Sequence, residues 1–345
     1  MQEIERLGRF NFFALLLLIL LSSWGFDYQE YPESEINSLM KKGIDNLIIQ
    51  KFDEAQVYFI KLNNNYPKNP LGKIYLAANE IARSYDQAGD YNSEFILKNL
   101  LGAIEQAEEL VDKDENNVWN IYMLALAEGY YAYFKALDGN WLSAFSNGLS
   151  CVSNFEKCIE IDSSFYEAYT AIGAYKYWKS RKTEIASWLS LFSDEKSEGI
   201  ALLEEAISKT SYNTYLAAYT LQWIYIDSKE YKNAVRISEE VIKKYPDSRF
   251  FKWGYARAYE GYNRQKSIEI YSSLLNSYMQ ENNLIQEIIL KHIIAQQHQH
   301  LGNYKLALSF CNDILSIKGL TESQTEKLED RLARVRELKK LLSGD

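Results

Sequence analysis

One spacing recurs three times along this chain, and it restricts the fold more than any bulk property. In "KFDEAQVYFIKLNNNYPKNP", residues 51–70, Phe52 stands three residues before Ala55, Phe59 four after it, and Pro67 twelve after it. "KEYKNAVRISEEVIKKYPDS", residues 229–248, repeats the pattern with Tyr231, Ala234 and Pro246. "GNYKLALSFCNDILSIKGL", residues 302–320, repeats it again with Tyr304, Ala307 and, at the proline place, Gly319. A small residue at the alanine place lets two helices approach closely, where a larger side chain forces them apart. An aromatic four residues later lies on the same helical face and fills the space between neighbouring pairs. Proline or glycine then stops the helix, so that the chain can begin another unit. No such unit buries its apolar face alone; stacking supplies the core.

These residues resemble the tetratricopeptide repeat family, whose unit of about 34 residues is two antiparallel helices. The resemblance implies an all-α chain, a right-handed helical solenoid of about seven helix pairs. In that frame units begin near Ile36, Tyr166, Tyr215, Ser248 and Ile288 over a solenoid spanning 36–320. Ser267, Tyr271 and Leu274 fit a sixth unit in which serine replaces the small alanine, and 70–162 keep the two-helix rhythm with longer helices. Residues 177–199, "YWKSRKTEIASWLSLFSDEKSEG", are an insertion between the helices of one unit, longer than usual inter-helix loops. With "GAYKYW" and "GIALLEEA" they are similar to an Iml-type mitochondrial outer-membrane clearance family built on the same repeats. In the segment 321–345, Thr321 with Glu322 and Gln324 can start a helix, and Leu328, Leu332, Val335 and Leu338 form one apolar stripe. A solenoid needs such a capping helix at its end.

Composition agrees with this and narrows the partners. Only 4 prolines and 16 glycines punctuate 345 residues, too few turns for a β-sandwich or barrel. A net charge of −9 disfavours nucleic acid and anionic membrane surfaces as partners, since both need clustered Lys and Arg. Residues 1–25 read as a signal peptide or an N-terminal anchor, followed by a linker over 26–35. The run Phe12 to Leu21 is wholly apolar, and Ser23 and Gly25 offer a cleavage site before Phe26. Uncleaved, Phe10 to Phe26 stands at the low edge of spanning length. Either way the body is expected to be exported, to the periplasm or cell envelope, with membrane contact only through that segment if it is retained. Cys151, Cys158 and Cys311 are odd in number, and the first two lie about 10 Å apart by helical rise, so all three read as buried small hydrophobes.

No phosphate loop, dinucleotide fingerprint, metalloprotease motif or nucleophile elbow occurs. "HIIAQQHQH" places His292 and His298 about 240° apart on a helix, and His292 and His300 about 80° apart, without a carboxylate to complete a metal site. The sequence therefore points to no catalysis, no metal and no cofactor. The repeat resemblance implies a ligand surface on the concave face formed by the first helices. By position that face takes Tyr177, Trp178, Tyr219, Trp223, Arg249, Lys252, Tyr259, His292, Gln296, Gln299 and His300. Such a groove, aromatic at one end and basic and amide-rich at the other, suits an extended peptide. A chaperone-tail clamp, which some family members form with Lys and Asn, finds Lys252 but meets Ala256 where Asn belongs. The expected function is an exported scaffold or adaptor that binds a protein or peptide. The alternatives are glycan binding through the same aromatics and, behind it, an enzyme with its site near 177–199.

Overall fold

The computed structural model describes residues 29–183 and 194–343. The expected signal or anchor, 1–25, and the middle of the 177–199 insertion lie outside the described residues. What is described is built from fifteen α-helices and one short 3₁₀ turn, Tyr166–Ala168. The first pair is α1 (Ser34–Ile48) and α2 (Phe52–Asn65), followed by α3 (Leu71–Gln87) with α4 (Ser93–Lys113) and α5 (Val118–Leu137) with α6 (Trp141–Ile161). Then come α7 (Tyr169–Thr183) with α8 (Lys196–Lys209), and α9 (Thr214–Asp227) with α10 (Tyr231–Lys244). The last pairs are α11 (Arg249–Glu260) with α12 (Arg264–Gln280) and α13 (Leu284–His300) with α14 (Tyr304–Ser316), before the single helix α15 (Glu322–Ser343). Each helix packs chiefly on its chain neighbours, which defines a helical solenoid.

The repeat spacing works as its chemistry requires. Ala55, Ala234 and Ala307 are fully buried, as is Ser267 at the same place in the sixth pair. Phe59 is also fully buried and stacks on Tyr75 of the next pair at 5.2 Å, which contributes about 2–3 kcal/mol of apolar burial. The four helices α3 to α6 have 17, 21, 20 and 21 residues, longer than the flanking α1 and α2 at 15 and 14. α7 continues through Tyr177 to Thr183, and α8 begins at Lys196, so both ends of the insertion are helical. The last pair begins at Leu284, four residues before the expected Ile288. Cys151, Cys158 and Cys311 are free and buried.

α9, which carries candidate site residues, is fixed at its N-terminus by one buried carboxylate. Glu167 accepts hydrogen bonds from the backbone N–H groups of Ser211 (2.5 Å), Tyr212 (3.0 Å) and Asn213 (3.2 Å). Burial nevertheless raises its carboxyl to about 7, against those bonds. At the other end of the chain, Thr321 and Gln324 form a reciprocal capping box that starts α15. Leu328, Val335 and Leu338 are buried and Leu332 half-buried, so the expected stripe seals the stack.

The solenoid also closes on itself. A helix leaves its last carbonyls without partners, and at α3 those partners come from the far end of the chain. The carbonyl of Asp86 accepts from Gln286 Nε2 at 2.7 Å, that of Gln87 from Asn283 Nδ2 at 2.9 Å, and that of Ala88 from Lys327 Nζ at 3.4 Å. The end of α1 is treated alike: the Ile48 carbonyl accepts from Ser248 Oγ at 2.7 Å, and Tyr245 donates to Asp45. Ala88 takes a left-handed φ of 50° and Gln50 one of 59°, conformations that cost non-glycine residues energy and that turn the chain into this seam. Thus α1 and α3 meet α10 to α13 and α15 across the concave side.

Candidate functional site

The closure converts part of the concave face into a cavity. On α9, Tyr219 and Trp223 are four residues apart and share a face, with their rings edge-to-face at 6.2 Å. On α11, Phe250 and Trp253 are three apart; Tyr219 meets Phe250 at 6.2 Å and Phe251 at 6.0 Å. From across the seam come Tyr85 and Asp86 of α3, with Tyr278 of α12 and Gln286 of α13. Together these side chains line a cavity of about 240 Å³. Tyr85 is half exposed and marks the mouth. The indole N–H of Trp223 is buried with no hydrogen-bond partner.

Asp86 and Tyr278 of the lining belong to a charge cluster that runs beneath the cavity to half-exposed Glu281. Asp86 Oδ1 accepts from Arg249 Nε (3.1 Å) and from the Tyr278 hydroxyl (2.9 Å), and Oδ2 accepts from Arg249 Nη2 (2.5 Å). Arg249 also donates to Glu281, and its guanidinium lies 4.6 Å from the centre of the Tyr278 ring. Trp253 Nε1 donates to the Tyr278 hydroxyl at 3.2 Å. Burial pushes the Asp86 carboxyl up, against the hydrogen bond and charge of Arg249. Burial opposes the charge on Arg249, but Asp86 and Glu281 outweigh it and hold the guanidinium protonated. The bidentate contact keeps the pair ionic at neutral pH. Gln286 Nε2 is used by the Asp86 carbonyl, while Gln286 Oε1 is buried with no hydrogen-bond partner.

Of the residues expected on the concave face, Tyr219 and Trp223 line this cavity, and Arg249 lies beneath it. The others are elsewhere. Tyr177 is a core residue, 2% exposed, whose hydroxyl donates to Asp227 at 2.9 Å, and Trp178 sits beside it at the surface. Lys252 is half-buried, and Tyr259 packs between Tyr255 and Tyr262 at 5.1 and 5.0 Å. Gln296 and Gln299 are half-buried and His300 is exposed at the end of α13. His292 is a correction: it is buried against the capping helix, with Nδ1 3.4 Å from Arg331 Nη1. Arg249 is another, since its charge is consumed by Asp86 and Glu281 instead of facing an open groove. Phe250 and Trp253 each follow an expected residue by one position, a helical phase error of about 100°. Tyr85 and Asp86 carry no sequence signal, because the contacts that place α3 here are remote in the chain: those of Asp86 with Arg249 and Tyr278 span 163 and 192 residues.

His292 gives a pH prediction. Burial, then the charges of Arg331 and Arg334, lower it from 6.5 to about 4. A solvent that protonates the unfolded imidazole below about pH 6.5 leaves the folded one neutral, so its contribution to stability is lost as pH falls through that window. Urea unfolding at pH 5 and pH 7 is expected to show a smaller acid penalty in His292→Leu than in the parent chain. An equal penalty in both would remove His292 as its source.

Residues 215–248 match the family model described as Tetratricopeptide repeat, a span that covers α9 and α10. With the pairs stacked as above, the chain is a helical solenoid that carries a tetratricopeptide repeat at its fifth pair. The match lies outside 177–199, the segment of Iml-type resemblance. No curated protein matches the chain. Among solved structures, a thermophilic TPR protein of Thermus thermophilus, TTC0263, is similar at 13% identity and TM-score 0.40, over 65% of this chain and 98% of that one. Human IFIT1, in a dimer with m7Gppp-AAAA, is similar at 15% identity and TM-score 0.45; 84% of this chain spans 61% of that one. A tetratricopeptide repeat protein from Parabacteroides merdae is similar at 13% identity and TM-score 0.35, over 90% of this chain and 100% of that one. Likenesses of this degree assign no ligand.

Proposed function

We propose that this protein is an exported, non-catalytic scaffold that captures a short peptide segment of a partner protein in the aromatic cavity. The observation that carries the reading is the cavity itself, with Tyr219, Trp223, Phe250 and Trp253 converging from two first helices against α3. The repeat class supports a protein partner. Rings fixed by neighbouring helices lose little freedom on binding, so their burial is available for affinity. Because the seam crosses the concave side, the ligand is a short segment or a single inserted side chain, not a peptide running the length of the stack. A sugar stacked on the same rings is the second reading; it needs several hydroxyl partners, and this lining is mainly aromatic. Net charge −9 and the carboxylates Asp86 and Glu281 disfavour a phosphate backbone.

Trp223→Ala is expected to weaken capture from a random-peptide display library by about tenfold or more, with helix content by circular dichroism unchanged. Undiminished capture would remove the cavity from the reading, and glycan-array binding without peptide capture would replace peptide by sugar. Export rests on the apolar run Phe12 to Leu21 and the small residues Ser23 and Gly25. N-terminal sequencing of the mature protein tests it: a start near Phe26 supports cleavage, and a start at Met1 substitutes a membrane anchor.

A further inference from the structure

We infer that the aromatic cavity binds an alkylammonium cation, supplied by a lysine side chain of the captured segment or by a free amine. The inference deepens the scaffold reading and rests on it only for the lysine as source. Three observations set the chemistry.

The lining presents aromatic rings and acceptors, with one unpaired donor, the Trp223 indole N–H. Tyr85, Tyr219, Trp223 and Trp253 surround the space, and an aromatic face attracts a cation through its quadrupole, most strongly where water is excluded. One ring here already holds a cation, since the Arg249 guanidinium lies over Tyr278 at 4.6 Å.

The floor carries a carboxylate and an unused acceptor. Asp86 is the carboxylate that lines the cavity; it shares the Arg249 guanidinium with Glu281, which is half-exposed and outside the lining. Asp86 accepts three hydrogen bonds, of about four that a carboxylate can take. Gln286 is 6% exposed, lines the cavity, and leaves Oε1 without a partner. A buried amide oxygen without a donor costs about 1–3 kcal/mol. At Gln286 the missing group is a donor, and an ammonium is a donor with no acceptor. A carboxylate or phosphate ligand would instead meet Gln286 Oε1 and Asp86 with repulsion. A quaternary ammonium, having no N–H to give Gln286 Oε1, fits less well than a primary one.

The volume fits one side chain. About 240 Å³ is smaller than the roughly 300–1,000 Å³ of sites for drug-sized ligands. A lysine stem fills such a space with methylenes against rings while its head reaches the floor.

Trp223 and Trp253 make binding readable by tryptophan fluorescence, with calorimetry as the second measurement. The probes are Nα-acetyl-lysine methylamide, its neutral analogue Nα-acetyl-norleucine methylamide, and cadaverine as a free amine. The lysine probe is expected to bind at least about tenfold more tightly than norleucine, and Tyr85→Ala, at the exposed mouth, is expected to lower that preference severalfold while leaving the Asp86–Arg249 pair in place. Gln286→Met should lower it as well; if that variant does not fold, Tyr85→Ala still decides. Norleucine bound as tightly as lysine, or no binding of either amine, overturns the inference and leaves peptide capture standing. Cadaverine bound as tightly as the lysine probe, with no peptide captured, supports the cation site and overturns the peptide scaffold.

Discussion

Asp86→Ala is expected to lower stability by about 3 kcal/mol, among the largest effects of any single side chain in this protein. Its carboxylate is 1% exposed and holds a guanidinium that is 8% exposed. Removing the carboxylate strands most of a charge in an apolar setting, with only the half-exposed Glu281 left to meet it. The Tyr278 hydroxyl loses its acceptor as well. The loss is specific to the pair: Asp86→Ala with Arg249→Leu is expected to recover a substantial part of it, because an apolar replacement of both partners removes the unpaired charge. Guanidinium unfolding of the two single variants and the double variant measures this. Because a solenoid is stabilised by neighbour contacts, helix content in the absence of denaturant is expected to stay near that of the parent. A single-variant cost below about 1 kcal/mol would mean that the seam is held by something other than this pair.

Gly199→Ala is expected to cost about 3 kcal/mol by a different mechanism. Gly173 on α7 and Gly199 on α8 cross with backbone against backbone. A Cβ on Gly199 would lie 2.6 Å from the Gly173 carbonyl oxygen and 2.9 Å from the Tyr177 nitrogen. Neither atom is the flexible end of a side chain, so the helices themselves must separate. That separation would also loosen Leu203 and Tyr177, which join the core between the fourth and fifth pairs. Thermal unfolding followed at 222 nm is expected to show a fall in Tm for Gly199→Ala. Gly102→Ala serves as the control, since a Cβ there meets only the flexible Lys73 side chain at 3.6 Å. Equal melting of the two variants would contradict the close crossing.

The helices, their pairing and the cap were legible because each rests on local chemistry. Small-residue spacing marks Ala55, Ala234 and Ala307; the stop signals Pro67, Pro246 and Gly319 follow at a fixed interval; and Thr321 with Gln324 forms the box its sequence announces. Tyr219 and Trp223 reach the cavity from the phase of a well-matched unit. In the unit beginning near Ser248 the repeat phase is one residue off on the site side. There Arg249 turns into the seam, and Phe250 and Trp253 take the cavity. His292 departs from the expected face because its partner is Arg331 on a different helix. The closure itself was illegible. Its partners, Asp86 with Arg249, Ile48 with Ser248 and Gln87 with Asn283, are 163, 200 and 196 residues apart. Repeat periodicity reports what one pair does to the next; it carries nothing about where a full turn of the stack returns.

That return is tested most directly at Asp90 and Lys327, an exposed ion pair at 2.7 Å that joins the α3–α4 turn to the capping helix. Both side chains are surface groups whose replacement costs little, and the native cysteines are buried. With cysteines at both positions and a spin label on each, double electron–electron resonance in solution is expected to give one narrow distance no longer than the reach of the two labels. A long or broad distribution would show an open stack, and with it the cavity between α3, α9 and α11 would be lost.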